Sequence, residues 1–188
     1  MSKEKLYDEK GALRLSDALK LAENGDLEAI DAILQDPAGS IYESSIIGAA
    51  RNGNLVVRDH LYKNVDKKAY LECVLDLASS KVEGATEAII KRGDVPECWD
   101  ALWTLAQLHN DLATEYILNN SLREGGLTRA IALAERADPA AKEYIRDFAG
   151  LIRFSDNGVP NASSVLYAHK DYNLECRERI LRLCRKGK

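Results

Sequence analysis

The chain has 188 residues, 46% of them apolar and 30% charged, with a net charge of −4 and aromatic residues at only 6%. This composition fits one soluble globular domain with a full core and excludes a chain that is disordered over most of its length. Gly and Pro are few, at 12 and 4, while Ala, Leu and Ile are frequent, so an all-α fold is predicted.

The opening "MSKEKLYDEKGALRL" is charged and lacks the apolar core of a secretory leader, and no later apolar run approaches the length of a bilayer span. With Cys73, Cys98, Cys176 and Cys184 read as reduced thiols, a cytoplasmic location is expected; secretion into a host cell has no support in the residues. Within that opening, "SKEKLYDEKG" is polar and is expected to fray. The cysteines have no C-x-x-C spacing and no histidines at metal-site intervals, so neither a metal nor a cofactor is predicted.

From Leu15 the chain repeats itself. "LSDALKLAENGDLEAIDAIL" starts at Leu15, "ESSIIGAARNGNLVVRDHLY" at Glu43, "LECVLDLASSKVEGATEAII" at Leu71, "WDALWTLAQLHNDLATEYIL" at Trp99 and "LTRAIALAERADPAAKEYIR" at Leu127, each 28 residues after the last. A shared alanine anchors the units: Ala22, Ala50, Ala78, Ala106 and Ala134. Four residues before it stand Ala18, Ile46, Val74, Leu102 and Ala130, and three before it Leu19, Ile47, Leu75, Trp103 and Ile131. Seven after it come Ala29, Val57, Ala85, Ala113 and Ala141, and eleven after it Ile33, Leu61, Ile89, Ile117 and Ile145. Offsets of three and four on either side of a polar turn describe two helices per unit, each with one apolar stripe.

The turns are "ENGD", "RNGN", "SSKV", "QLHND" and "ERADP". Gly25 and Gly53 are placed to take positive φ and end a first helix, while Asp26 and Asn54 are suited to cap the second. Asp138 followed by Pro139 is another form of the same start. The "GAARNGN" stretch is therefore punctuation; a phosphate loop would place Lys and Ser or Thr after its last glycine, where this chain has Asn54 and Leu55.

"AARNGNLVVRDHLY" and "LAENGDLEAIDAIL" resemble the helical part of ankyrin repeats: two small residues, a glycine three further on, then paired apolar positions. The resemblance covers residues 13–148 and weakens where Lys81, His109 and Ala137 replace the glycine. Ankyrin units run to about 33 residues and carry Thr-Pro-Leu-His; here the period is 28 and the tetrapeptide is absent, which matches loss of the projecting β-hairpin finger. The resemblance implies one α-solenoid domain over 1–188, with five to six stacked helix-turn-helix repeats.

After Phe148 the pattern breaks. "RFSDNGVPNASS" predicts a loop, and "LYAHKDYNLECRERILRLC" a last helix pair anchored at Ala168, so that 149–188 forms a loop and an atypical C-terminal cap. From Lys170 to Lys188 seven basic residues face three acidic ones, leaving −8 on the rest of the chain. Arg177, Arg179, Arg182 and Arg185 form the solvated face of a cap or, alternatively, a surface for nucleic acid or anionic membrane; the acidic body disfavours nucleic acid.

No catalytic residue is predicted. His60, His109 and His169 fall in separate units and read as solvated or capping side chains. Cys98 has no activating neighbour, and Cys73 is expected to be partly buried. Trp103 shares a column with apolar residues and reads as core, whereas Trp99, in the column that admits Glu43, is a candidate for the surface.

A module that binds another protein is expected, with an enzyme carrying an unrecognised site as the remote alternative. As the ankyrin resemblance implies, its contact residues would come from the first helices and turns: Asp17, Lys20, Ser45, Asp76, Trp99, Asp100, Thr104 and Arg129, with Arg51, Asn52, Gln107 and His109 beside them.

Overall fold

The structure, a computed structural model, describes residues 6–8, 12–36 and 41–185. Among them there are twelve α-helices and no strand; an isolated antiparallel bridge joins Tyr7 to Leu13. The chain divides into two compact units, Met1–Ala101 and Leu102–Lys188.

In the first unit, α1 (Leu15–Glu23), α3 (Glu43–Arg51) and α5 (Lys68–Ser79) are first helices; α2 (Leu27–Gln35), α4 (Leu55–Lys63) and α6 (Ala85–Ile90) are their second helices. Each first helix packs on its own second helix, α1 on α3, α3 on α5, α2 on α4, and α4 on α6. The division of the chain falls inside α7 (Pro96–Gln107). The second unit continues with α8 (Asp111–Asn119), α9 (Gly126–Glu135), α10 (Pro139–Asp156), α11 (Ala162–Tyr167) and α12 (Leu174–Arg185). There α8 packs on α9 and α10, α9 on α10, and α10 on α11, while α12 lies against α9 and α10.

The columns at the anchor alanine and at four before, seven after and eleven after it are at most 1% exposed in all five units. Each of the Ile and Leu side chains eleven after the anchor removes enough apolar surface from water to stabilise by about 1.5–3 kcal/mol.

The five turns are alike in backbone. Three residues after the anchor, φ is positive at Gly25 (88°), Gly53 (95°), Lys81 (58°), His109 (60°) and Ala137 (72°). The N–H of each bonds the anchor carbonyl, and the next N–H bonds the carbonyl before the anchor, as in Gly25 to Ala22 at 2.9 Å and Asp26 to Leu21 at 3.0 Å. This double bond pattern satisfies carbonyls that a helix end would otherwise strand. Asp26, Asn54, Asn110 and Asp138 then cap the second helices by accepting from Ala29, Val57, Ala113 and Ala141 N–H. Val82 has no acceptor on its side chain, and α6 begins later, behind Gly84 with φ 80°.

Several expectations are corrected. The loop predicted from Arg153 is helical to Asp156, because Phe148, Ala149 and Ile152 continue the buried stripe of Ala141 and Ile145. Ala168 does not repeat the anchor: it is exposed at the end of α11, and Ala162, Leu166 and His169 are buried instead. At the other end most of the stretch expected to fray lies outside the described residues, but Leu6 is buried and its carbonyl accepts from Arg14 N–H at 2.7 Å.

Candidate functional site

The expected contact residues divide between the units. In the first, Asp17 and Lys20 are exposed on α1, Arg51 and Asn52 at the end of α3, Asp76 on α5 and Asp100 on α7; Ser45 is only half-exposed. Arg51 Nη2 pairs with Asp76 Oδ2 at 2.7 Å and donates to Ser80 Oγ at 2.9 Å, so two of the expected residues meet across successive first helices. Nearby, Asn54 Nδ2 donates to the Glu23 carbonyl at 3.0 Å.

In the second unit Thr104 and His109 are exposed, and Gln107 and Arg129 half-buried. Arg136, absent from the expected set, donates to Gln107 Oε1 at 2.9 Å and to the Gln107 carbonyl at 3.2 Å. The Arg129 guanidinium stands 5.7 Å from the centre of the Trp103 ring.

The two tryptophans exchange the roles expected of them. Trp99 is 6% exposed and belongs to the core, whereas Trp103 is half-exposed, like Leu19, Ile47 and Leu75 in its column. At 100° per residue, seven positions before the anchor lies close to the centre of the apolar stripe, while three before lies about 60° to one side.

Second helices form a groove in each unit. Between α4 and α6 a groove of about 640 Å³ is lined by Arg58, Asp59, Tyr62, Lys63, Glu83, Glu87, Lys91 and Arg92. Between α8 and α10 one of about 500 Å³ is lined by Asp111, Thr114, Glu115, Leu118, Asn119, Asp138, Pro139 and Tyr144. They occupy the same register: Arg58, Asp59, Tyr62 and Lys63 stand at the offsets of Thr114, Glu115, Leu118 and Asn119 from their anchors. Cations and carboxylates line the first groove, and no cation lines the second.

No family model, no curated protein and no solved structure matches the chain.

Two polar clusters escaped the sequence reading, and they correct the expectation of solvated or capping side chains at His60 and His169, while His109 is exposed. Half-buried His60 on α4 sets Nε2 at 2.5 Å from Asp31 Oδ1, which also accepts from the Tyr70 hydroxyl. Burial, followed by the bond to Asp31, pushes the Tyr70 phenol up. In the second unit His169 is 7% exposed, with its ring edge against Phe148 at 4.8 Å. The Val165 carbonyl, 3.2 Å from Nδ1, can only accept, so Nδ1 donates to it. Tyr144 donates to Ser121 Oγ at 2.6 Å, and Ser121 Oγ lies 3.4 Å from His169 Nε2. A serine beside an imidazole is the pairing used for nucleophiles; here Ser121 is only 5% exposed, and the cluster joins residue 121, α10 and the segment after α11.

Cys73 is fully buried, not partly, because α5 touches α2, α3, α4 and α6. Burial, reinforced by Glu43, Glu72 and Asp76, pushes its thiol up to about 12, and Cys98 is shifted in the same direction. Half of the basic helix face is engaged: Arg179 pairs with Glu135 at 2.8 Å and Arg177 with Asp156 at 2.7 Å. Lys186 and Lys188 lie outside the described residues. Among the described residues no three His, Cys, Asp or Glu side chains gather as a metal site, and no helix is long and apolar enough to cross a membrane.

Proposed function

We propose that the chain is a protein-binding module, an ankyrin-like solenoid of stacked helix pairs whose contact surface comes from first helices and inter-helix turns. The observation that supports this is the turn repeated five times at 28-residue spacing, with one backbone conformation whether glycine, lysine, histidine or alanine occupies it. A chain that keeps its turn geometry while varying the side chain presents different chemistry on a constant scaffold, as binding repeats do. Asp17, Lys20, Arg51, Asn52, Asp76 and Asp100 supply exposed charge and hydrogen-bonding capacity on that face of the first unit. Recognition would rest on complementary shape and charge without a chemical step. The pairs Arg179–Glu135 and Arg177–Asp156 support α12 as a cap.

The test is affinity capture from cell lysate with the full chain and with Asp17→Lys/Asp100→Lys. Capture of a specific protein that the charge-reversed chain loses supports this face. Capture unchanged by the reversal excludes it.

A further inference from the structure

We propose that the groove between α4 and α6 is a second docking site, and that it takes an acidic stretch of a partner protein. It lies on second helices and does not depend on the first-helix reading. Arg58 and Lys63 reach it from α4, Lys91 and Arg92 from the end of α6. Among the described residues none of the four has a carboxylate within 4.0 Å, although Asp59, Glu83 and Glu87 line the same groove. Elsewhere in this unit an exposed cation does find its carboxylate, as Arg51 finds Asp76 at 2.7 Å. The groove therefore keeps four positive charges available for an incoming anion.

Its floor is already in place. The Tyr62 hydroxyl donates to the Glu83 carbonyl at 2.9 Å, and its ring lies so near Gly84 that a Cβ there would meet Cε2 at 3.2 Å. Gly84 also has φ 80°, a conformation that side chains resist, so glycine at 84 leaves the ring its room and the bond to Glu83 fixes it at the start of α6. An occupant would not have to order this wall as it binds.

The charge pattern selects the occupant. Duplex nucleic acid carries a negative charge about every 1.7 Å and would place phosphates against Asp59, Glu83 and Glu87 as well as against the cations. A peptide with spaced carboxylates can meet the four cations while its own N–H groups face the three acids. The groove in the same register of the second unit, with Asp111, Glu115 and Asp138 and no cation, would repel the same peptide.

The experiment measures fluorescence anisotropy of a labelled peptide of alternating glutamate and alanine. Its length is about ten residues, which at ~3.3 Å each can run along a groove in extended form. The full chain should bind it, with affinity that falls as salt is raised. Lys63→Glu/Lys91→Glu should weaken binding roughly tenfold, and Lys63→Gln/Lys91→Gln by a smaller factor. Lys142→Glu, an exposed lysine of α10 outside this groove, should leave binding unchanged. The Gln pair carries the reading should the charge-reversed pair fail to fold by circular dichroism. No binding, equal binding of the lysine-alanine counterpart, tighter binding of an oligothymidylate, or equal loss with Lys142→Glu would each overturn the proposal.

Discussion

The grooves on α4/α6 and α8/α10 stand at the same offsets from their anchors and carry different chemistry. One sets Arg58, Lys63, Lys91 and Arg92 beside Asp59, Glu83 and Glu87; the other has Asp111, Glu115 and Asp138 over Leu118, Pro139 and Tyr144, without a cation. What the two units share is confined to positions that touch neighbouring helices, the anchors, the columns around them and the turn. Exposed positions between those columns, Lys63 and Asn119 among them, carry the differences. In this chain the repeat constrains the backbone and leaves these exposed side chains to differ.

The largest expected effect tests the shared part. Leu61→Ala in the first unit and Ile117→Ala in the second each delete a fully buried side chain at the same offset and should each cost about 2–5 kcal/mol. Denaturant unfolding followed by circular dichroism checks this, and a much smaller loss at either position would break the equivalence of the units.

Caps come next. Asp138 is 8% exposed and accepts from Ala141 N–H at 2.9 Å, whereas Asn54 does the same for Val57 at 3.2 Å from a half-buried position. Asp138→Ala should cost about 1–2 kcal/mol and Asn54→Ala about 1 kcal/mol, read from unfolding midpoints. The reverse order would show that burial does not rank these caps.

The turns are predicted to respond with opposite signs. Lys81→Gly and Ala137→Gly relieve a left-handed conformation and should raise stability by about 0.5–1 kcal/mol. Gly53→Ala should lower it by a similar amount, since nothing within 4 Å of the added Cβ would clash and only its φ of 95° opposes the change. Thermal melts of the three variants suffice, and a common sign would refute the strain argument.

The smallest effect concerns the cap. Arg179, bonded to Glu135, holds that carboxyl below its ordinary range. A depressed carboxyl contributes stability above its unfolded value of about 4.3 and loses it as pH falls through the lower folded value. The Glu135 side chain is 42% exposed, so water screens the pair and the contribution should stay under about 1 kcal/mol. Melting temperatures of the chain and of Arg179→Gln should converge as pH drops from about 6 to 3; a constant gap would mean that the pair contributes nothing that titrates.

Much of the fold was legible because it depends on local periodicity. The anchor columns, the two-helix units, the turns at Gly25 and Gly53 and the caps at Asp26, Asn54 and Asp138 all follow from spacing. Lys81, His109 and Ala137 looked like failures of the turn motif, yet they adopt the same left-handed backbone. There the double carbonyl bonds and the packed anchors outweigh a strain of about 1 kcal/mol. The exchange between Trp99 and Trp103 was also recoverable, from helical angles rather than from column composition.

Other features could not be read. Ser121, Tyr144 and His169 are brought together from 23 to 48 residues apart, and no local spacing announces that. The grooves likewise need two second helices side by side, and Cys73 is buried because four helices surround α5. Spacing along one chain fixes which residues face the same way on a helix, because that angle is set by the backbone alone. Which helix lies opposite, and hence which charges share a groove or stay unpaired, was decided only in three dimensions, since it depends on contacts between segments far apart in the chain.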